Sequence, residues 1–185
     1  MKVQPHLIKI LNMKIVNIIL LAISMATCST LFAQKNITVD SLFNQDRIDY
    51  NNGRYKEAIT DFTSLLNLEA SHKNALLQRG FCFSLIKDYK SAIADFSKVL
   101  LIDPSHQFAY VSRGSAKNKL EEYQSALDDF NKALELKPED AEAFNNRGFA
   151  KKGLGDFKGA CEDWNKSKKM GNDEAKIILK NNYCK

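Results

Sequence analysis

Apolar and polar positions along this chain repeat at a fixed length. The segments GRYKEAITDFTSLL (53–66), KDYKSAIADFSKVL (87–100), EEYQSALDDFNKAL (121–134) and GDFKGACEDWNKSK (155–168) start 34 residues apart. Each holds an aromatic at its third position, Ala at its sixth and an aromatic at its tenth, spacings that share one face of a helix. Three Arg-Gly pairs, Arg79-Gly80, Arg113-Gly114 and Arg147-Gly148, keep the same period upstream of the last three segments. A period of this length means one supersecondary unit, stacked on copies of itself to bury a continuous core.

From about Val39 onward these columns resemble the tetratricopeptide (TPR) repeat, with several columns filled together at one period. The resemblance implies an all-α fold: an α-solenoid of about four helix–turn–helix hairpins (39–72, 73–106, 107–140, 141–172) plus a C-terminal capping helix in 173–185. Helices are expected near 40–52 and 55–68, 73–86 and 89–101, 107–120 and 123–136, 141–154 and 157–169, with the cap near 173–183. Each column has a physical reason. Helices that interlock at about 8–10 Å need small residues at the crossing, here Gly80, Gly114 and Gly148 facing Ala58, Ala92, Ala126 and Ala160. Tyr55, Tyr89, Tyr123 and Phe157, with Phe62, Phe96, Phe130 and Trp164, fill the space between hairpins. Pro104 and Pro138 stop the second helices, and Asp88 and Asp156 stand where an N-cap is wanted. The end repeats depart from the pattern, with Asp46 in place of Gly and with Ala70 and Asn172 in place of Pro. End units face solvent on one side, so such departures are expected there.

Residues 1–33 read differently. Lys14 precedes IVNIILLAISMA (15–26), an apolar run too short for a membrane span of roughly 20 residues but suited to a secretory signal. Cleavage is expected after Ala33, leaving a disordered lead at 34–38; residues 1–12 read as an upstream extension or a mis-called start. Two other fates stay open: lipid attachment at Cys28, behind the poor lipobox MATC, and an uncleaved anchor. The expected location is therefore the periplasm or the outside of the cell, with a membrane-tethered envelope assembly factor as the alternative.

Charge and chemistry narrow the function. The chain carries 27 Lys and Arg against 22 Asp and Glu. Setting aside the three lysines of residues 1–33 leaves a nearly neutral remainder with both signs interspersed. That balance gives a nucleic-acid-binding surface no support. No GxxxxGK, GxSxG or HExxH occurs in the sequence. Gly153-Leu154-Gly155 reads as a turn between helices. His72 and His106, one repeat apart, read as solvated loop residues too distant to share a metal. The Arg-Gly arginines stand 16 residues before Asp95, Asp129 and Asp163, and Gln45 stands 16 before Asp61. Such a ladder reads as helix-locking ion pairs, because a binding site is usually built once. Neither an enzyme nor a cofactor is expected.

Cys82, between Phe81 and Phe83, reads as a buried core thiol. Cys161 and Cys184 fall at similar depths, ~12 and ~15 Å from the turn their two helices share. An oxidising compartment would allow a bridge, and the AC-x-DW…YC ending resembles that of exported bacterial TPR proteins.

The resemblance also implies a concave groove lined by successive first helices, taking a partner protein or peptide and no small-molecule substrate. Carried over position by position, it comprises Phe43, Arg47 and Tyr50; Leu77, Phe81 and Ser84; Val111, Ser115 and Asn118; and Asn145, Phe149 and Lys152, with Phe108 nearby. Phe43, Leu77 and Val111 occupy the places where chaperone-binding members hold carboxylate-gripping residues, so that clamp is absent. The expected surface is apolar in the middle with Arg47, Lys119 and Lys152 at its edges. It suits an apolar or aromatic segment with acidic flanks.

Overall fold

The computed structural model describes residues 53–181 and residue 184. The expected signal, lead and first helix near 40–52 lie outside the described residues, as do Phe43, Gln45, Arg47 and Tyr50. Among the described residues eight helices follow one another: α1 (Tyr55–Leu68), α2 (Lys73–Leu85), α3 (Tyr89–Ile102), α4 (Gln107–Lys119), α5 (Tyr123–Leu136), α6 (Ala141–Gly153), α7 (Phe157–Lys169) and α8 (Asp173–Lys180). No strand occurs among them. The pairs α2/α3, α4/α5 and α6/α7 are the hairpins, and α8 packs on α7. Contacts also run from α2 to α4 and from α4 to α6, so the first helices of successive hairpins lie side by side.

The packing follows from residue size. A Cβ on Gly80 would stand 2.7 Å from the Phe96 ring, on Gly114 2.8 Å from Phe130, and on Gly148 2.5 Å from the Trp164 indole. The bare backbone of each first helix thus receives the large ring of its own second helix. Those three rings and Phe62 are buried, together with Ala58, Ala92, Ala126 and Ala160. The turns inside the hairpins place Lys87, Glu121 and Gly155 at φ 66°, 61° and 84°, one left-handed residue per turn at the repeat period. Asp88 and Asp156 cap α3 and α7, accepting from the backbone N–H of Ser91 and Gly159.

The histidines differ from expectation. His72 and His106 are helix N-caps, each Nδ1 accepting a backbone N–H, from Ala75 at 3.0 Å and Ala109 at 3.2 Å. Asp140 and Asn172 cap α6 and α8 in the same way. An imidazole with its Nδ1 turned inward can stand where a carboxylate or amide usually accepts.

The arginine ladder is an ion-pair system that also reaches into the previous hairpin. Arg79, Arg113 and Arg147 grip Asp95, Asp129 and Asp163 through Nε and Nη2 at 2.6–2.9 Å. The remaining Nη1 donates to Thr63, Ser97 or Asn131, one hairpin earlier. Each guanidinium therefore ties three helices, and all three carboxylates are buried. Lys117 and Lys151 add a second cation on Asp129 and Asp163, both at 2.8 Å. In the earlier hairpin Phe83 takes that position, its ring 5.7 Å from the Arg79 guanidinium.

Candidate functional site: a groove across α2, α4 and α6

Two clefts open along the side-by-side first helices. The smaller, about 250 Å³, is lined by Phe81, Ser84 and Leu85 of α2, Tyr89 and Phe96 of α3, Ser112, Ser115, Ala116 and Lys119 of α4, and Glu142 of α6. The larger, about 490 Å³, is lined by Ser115, Asn118 and Lys119 of α4, Tyr123 of α5, Asn146, Phe149, Lys152 and Gly153 of α6, and Glu174 of α8. Ser115 and Lys119 line both, so the two form one continuous groove.

Phe81, Asn118, Phe149 and Lys152 face this groove, as do Ser84 and Ser115. Phe108 is exposed at its edge and meets the Phe81 ring edge-on at 5.8 Å. Leu77 is half-buried and packs into the core cluster of Ala92, Phe96 and Ala116. Two expected groove residues are corrected. Val111 is buried with Ala143 and Phe144 of the next hairpin and presents no surface. Asn145 is 1% exposed and joins helices. Its Nδ2 donates to Glu174 Oε2 at 2.7 Å, and its backbone oxygen accepts the Trp164 Nε1–H at 3.2 Å.

The reason is rotational. Positions 77, 111 and 145 stand four residues before 81, 115 and 149, and four residues overshoot a helical turn by about 40°. That angle turns Val111 and Asn145 off the groove floor and into the contact with the following hairpin. Positions 81, 115 and 149 stay on the floor.

The groove also holds residues outside the expected set, Tyr123 of α5 and Asn146 and Gly153 of α6. Gly153 ends α6, and the Tyr123 ring lies so close that a Cβ there would stand 2.5 Å from it. Gly153 thus opens the groove floor, and the turn proper belongs to Leu154 and Gly155. Asn118 donates from Nδ2 to the Asn146 backbone oxygen at 2.9 Å, bracing α4 against α6 under the larger cleft.

The electrostatics depart from the expected pattern as well. Lys119 and Lys152 stand at the C-terminal ends of α4 and α6, but the rim at the helix N-termini is acidic, with Glu142 and Glu174. The Glu142 carboxyl is held above its ordinary range, first by loss of water and then by the neighbouring Asp140 and Glu174 carboxylates.

Cys161 and Cys184 are joined in a disulfide, with Cα atoms 5.5 Å apart. It staples the segment after α8 to α7, where Ala175, Ile178 and Leu179 cover Ala160 and Trp164. Glu174, on the first turn of α8, is thereby kept at the end of the larger cleft. Cys82 is buried, and burial pushes its thiol up to about 11. No group of three metal-ligating side chains occurs among the described residues.

Comparison with known proteins agrees with this architecture. A family model for the TPR repeat matches residues 114–155, and a second, for the tetratricopeptide repeat, matches residues 74–106. The solved structure of MamA (residues 41 to the end) from Desulfovibrio magneticus RS-1 is 27% identical, with a TM-score of 0.68 over 71% of this chain and 75% of that one. The first TPR of Spaghetti (RPAP3), bound to the HSP90 peptide SRMEEVD, is 24% identical, with a TM-score of 0.61 over 63% of this chain and 93% of that one. The second TPR domain of human RPAP3, in complex with the HSP70 peptide SGPTIEEVD, is 23% identical, with a TM-score of 0.61 over 63% of this chain and 98% of that one. No curated protein sequence matches the chain.

Proposed function

Because the chain belongs to the tetratricopeptide-repeat family, we propose that it is a non-enzymatic adaptor that docks a partner protein through a peptide segment laid in the groove of α2, α4 and α6. The observation that carries this reading is the continuity of the two clefts through Ser115 and Lys119, with Phe81 at one end and Phe149 at the other. Aromatic faces on a rigid, helix-built floor give a peptide apolar anchorage at little ordering cost to the protein. The RPAP3 domains, which share the fold, bind peptides.

The adaptor works outside the cytoplasm, released by its signal sequence. Supporting this are the apolar run 15–26 behind Lys14 and the Cys161–Cys184 bridge, since disulfides persist in oxidising compartments.

The test is a crosslinking pull-down from the native host with wild type and Ser115→Arg. Ser115 lines both clefts and is no part of the buried core, so the arginine plugs the groove and spares the packing. Loss of a specific partner with unchanged melting supports the reading. An unchanged partner set with both proteins folded refutes it.

A further inference from the structure

The groove has a basic edge and an acidic edge. Lys119 is the last residue of α4 and Lys152 lies one residue before the end of α6. Glu142 is the second residue of α6 and Glu174 the second of α8. Successive first helices run in the same direction, so the lysines collect along one rim and the glutamates along the other. The smaller cleft, which Phe81 also lines, holds one charge of each sign, Lys119 and Glu142. The larger holds Lys119 and Lys152 against Glu174.

Two of these charges, Lys119 and Glu142, are not spent on the fold in the way the arginine ladder is. Neither Lys119 nor Glu142 has an ion-pair partner among the described residues. The charged neighbours of Glu142 are Asp140 and Glu174, both of its own sign. Asp140 already accepts from Ala143 N–H and Gln107 Nε2, and Glu174 already accepts from Asn145. Helix ends explain why unpaired charges are tolerated here. An acid at a helix N-terminus and a base at a C-terminus are each favoured by the macrodipole. The fold thus holds a cation and an anion at fixed places across an apolar floor.

We propose that the partner segment carries a large apolar side chain between a basic and an acidic side chain, and that the opposed rims fix the direction in which it lies. The apolar anchor rests on Phe81 and the exposed Phe108. Its basic flank meets Glu142 and Glu174, and its acidic flank meets Lys119 and Lys152. A segment acidic on both sides, which the lysines alone would suggest, sets one carboxylate against Glu142. Complementary charge of this kind contributes orientation and selectivity more than raw affinity. This inference rests on the groove being the docking surface, as proposed above.

A display library of 12-residue peptides, with a central Phe, Leu or Trp and random flanks, tests both. It is selected on the wild-type protein, and enriched peptides are then measured by fluorescence anisotropy on Ser115→Arg, on Lys119→Glu/Glu142→Lys, and on the neutral Lys119→Gln/Glu142→Gln. The expected peptides are basic on one side of the anchor and acidic on the other. They weaken at least about tenfold on the charge-exchanged variant and recover when the peptide's flanks are exchanged. On the neutral variant, the difference between peptides of the two orders narrows, with only Lys152 and Glu174 left to set the direction. Groove-dependent peptides whose binding ignores both charge variants overturn the inference and leave the groove reading standing. Peptides that bind Ser115→Arg as well as wild type, or a library that yields none, overturn both.

Discussion

The backbone oxygen of Asn145 accepts the indole N–H of Trp164 at 3.2 Å, and Gly148, one turn further along α6, leaves the room for that ring. The same Asn145 donates to Glu174 on α8, so one residue connects the last hairpin, its largest side chain and the cap. Replacing Gly148 with Ala puts a methyl group 2.5 Å from Nε1. The expected loss is about 1–3 kcal/mol, the usual cost of overpacking, with a change in Trp164 fluorescence. Gly155 is the control: it has φ +84° and nothing within 4 Å of where a Cβ would stand, so Gly155→Asn costs well under half as much. Urea unfolding of both variants checks the contrast.

The arginine ladder predicts unequal costs for equal substitutions. Arg79→Met leaves the buried Asp95 carboxylate with no cation among the described residues, because Phe83 stands where Lys117 and Lys151 serve the later hairpins. Stranding a buried charge costs about 3–5 kcal/mol. Arg113→Met leaves Lys117 on Asp129 at 2.8 Å, so its cost is lower by about 1–2 kcal/mol. Equilibrium unfolding of the two variants side by side decides this.

Reduction of Cys161–Cys184 releases the cap. The bridge spans 23 residues, and a loop of that length is worth about 3 kcal/mol in the chain-entropy account. The protein has a single tryptophan, Trp164, and it lies beneath the cap. A dithiol reductant is expected to shift its emission to longer wavelength and to lower the melting temperature. An emission spectrum that ignores the reductant would contradict the role given to the cap.

Cys82 gives a pH dependence. Burial raises its thiol from 9.0 to about 11, so above pH 9 the unfolded chain loses this proton before the folded one does. The unfolded state then binds fewer protons, and stability falls as pH rises from about 9 to about 11. Cys82→Ala is expected to flatten this part of the stability profile. In native protein at about pH 8 the thiol should resist thiol-reactive dyes until denaturant is added.

Much of the architecture was legible because its packing rules are local and repeated. Gly80 and Phe96, Gly114 and Phe130, and Gly148 and Trp164 share a spacing of 16, and each glycine meets its ring within one hairpin. What escaped the pattern depends on the neighbouring hairpin. Val111 and Leu77 occupy one column, yet only Val111 is fully covered, because Ala143 and Phe144 close over it. Thr63, Ser97 and Asn131, the third partners of the arginines, share a column but little chemistry beyond a side-chain acceptor oxygen. The capping histidines were readable in principle, since Asp140 stands one repeat after His106 in the same column. The acidic rim was not, because Glu142 and Glu174 become groove residues only once α6 is laid beside α4 and α8 is packed on α7.

The measurement closest to the central claim is amide chemical-shift mapping on the isotope-labelled protein, titrated with a peptide enriched from the library. The account predicts shifts concentrated at Phe81, Ser115, Asn118, Phe149 and Lys152, saturating together. Shifts centred instead on the exposed apolar residues near the ends of the second helices, Leu101, Leu136 and Met170, with the groove amides unmoved, would contradict it.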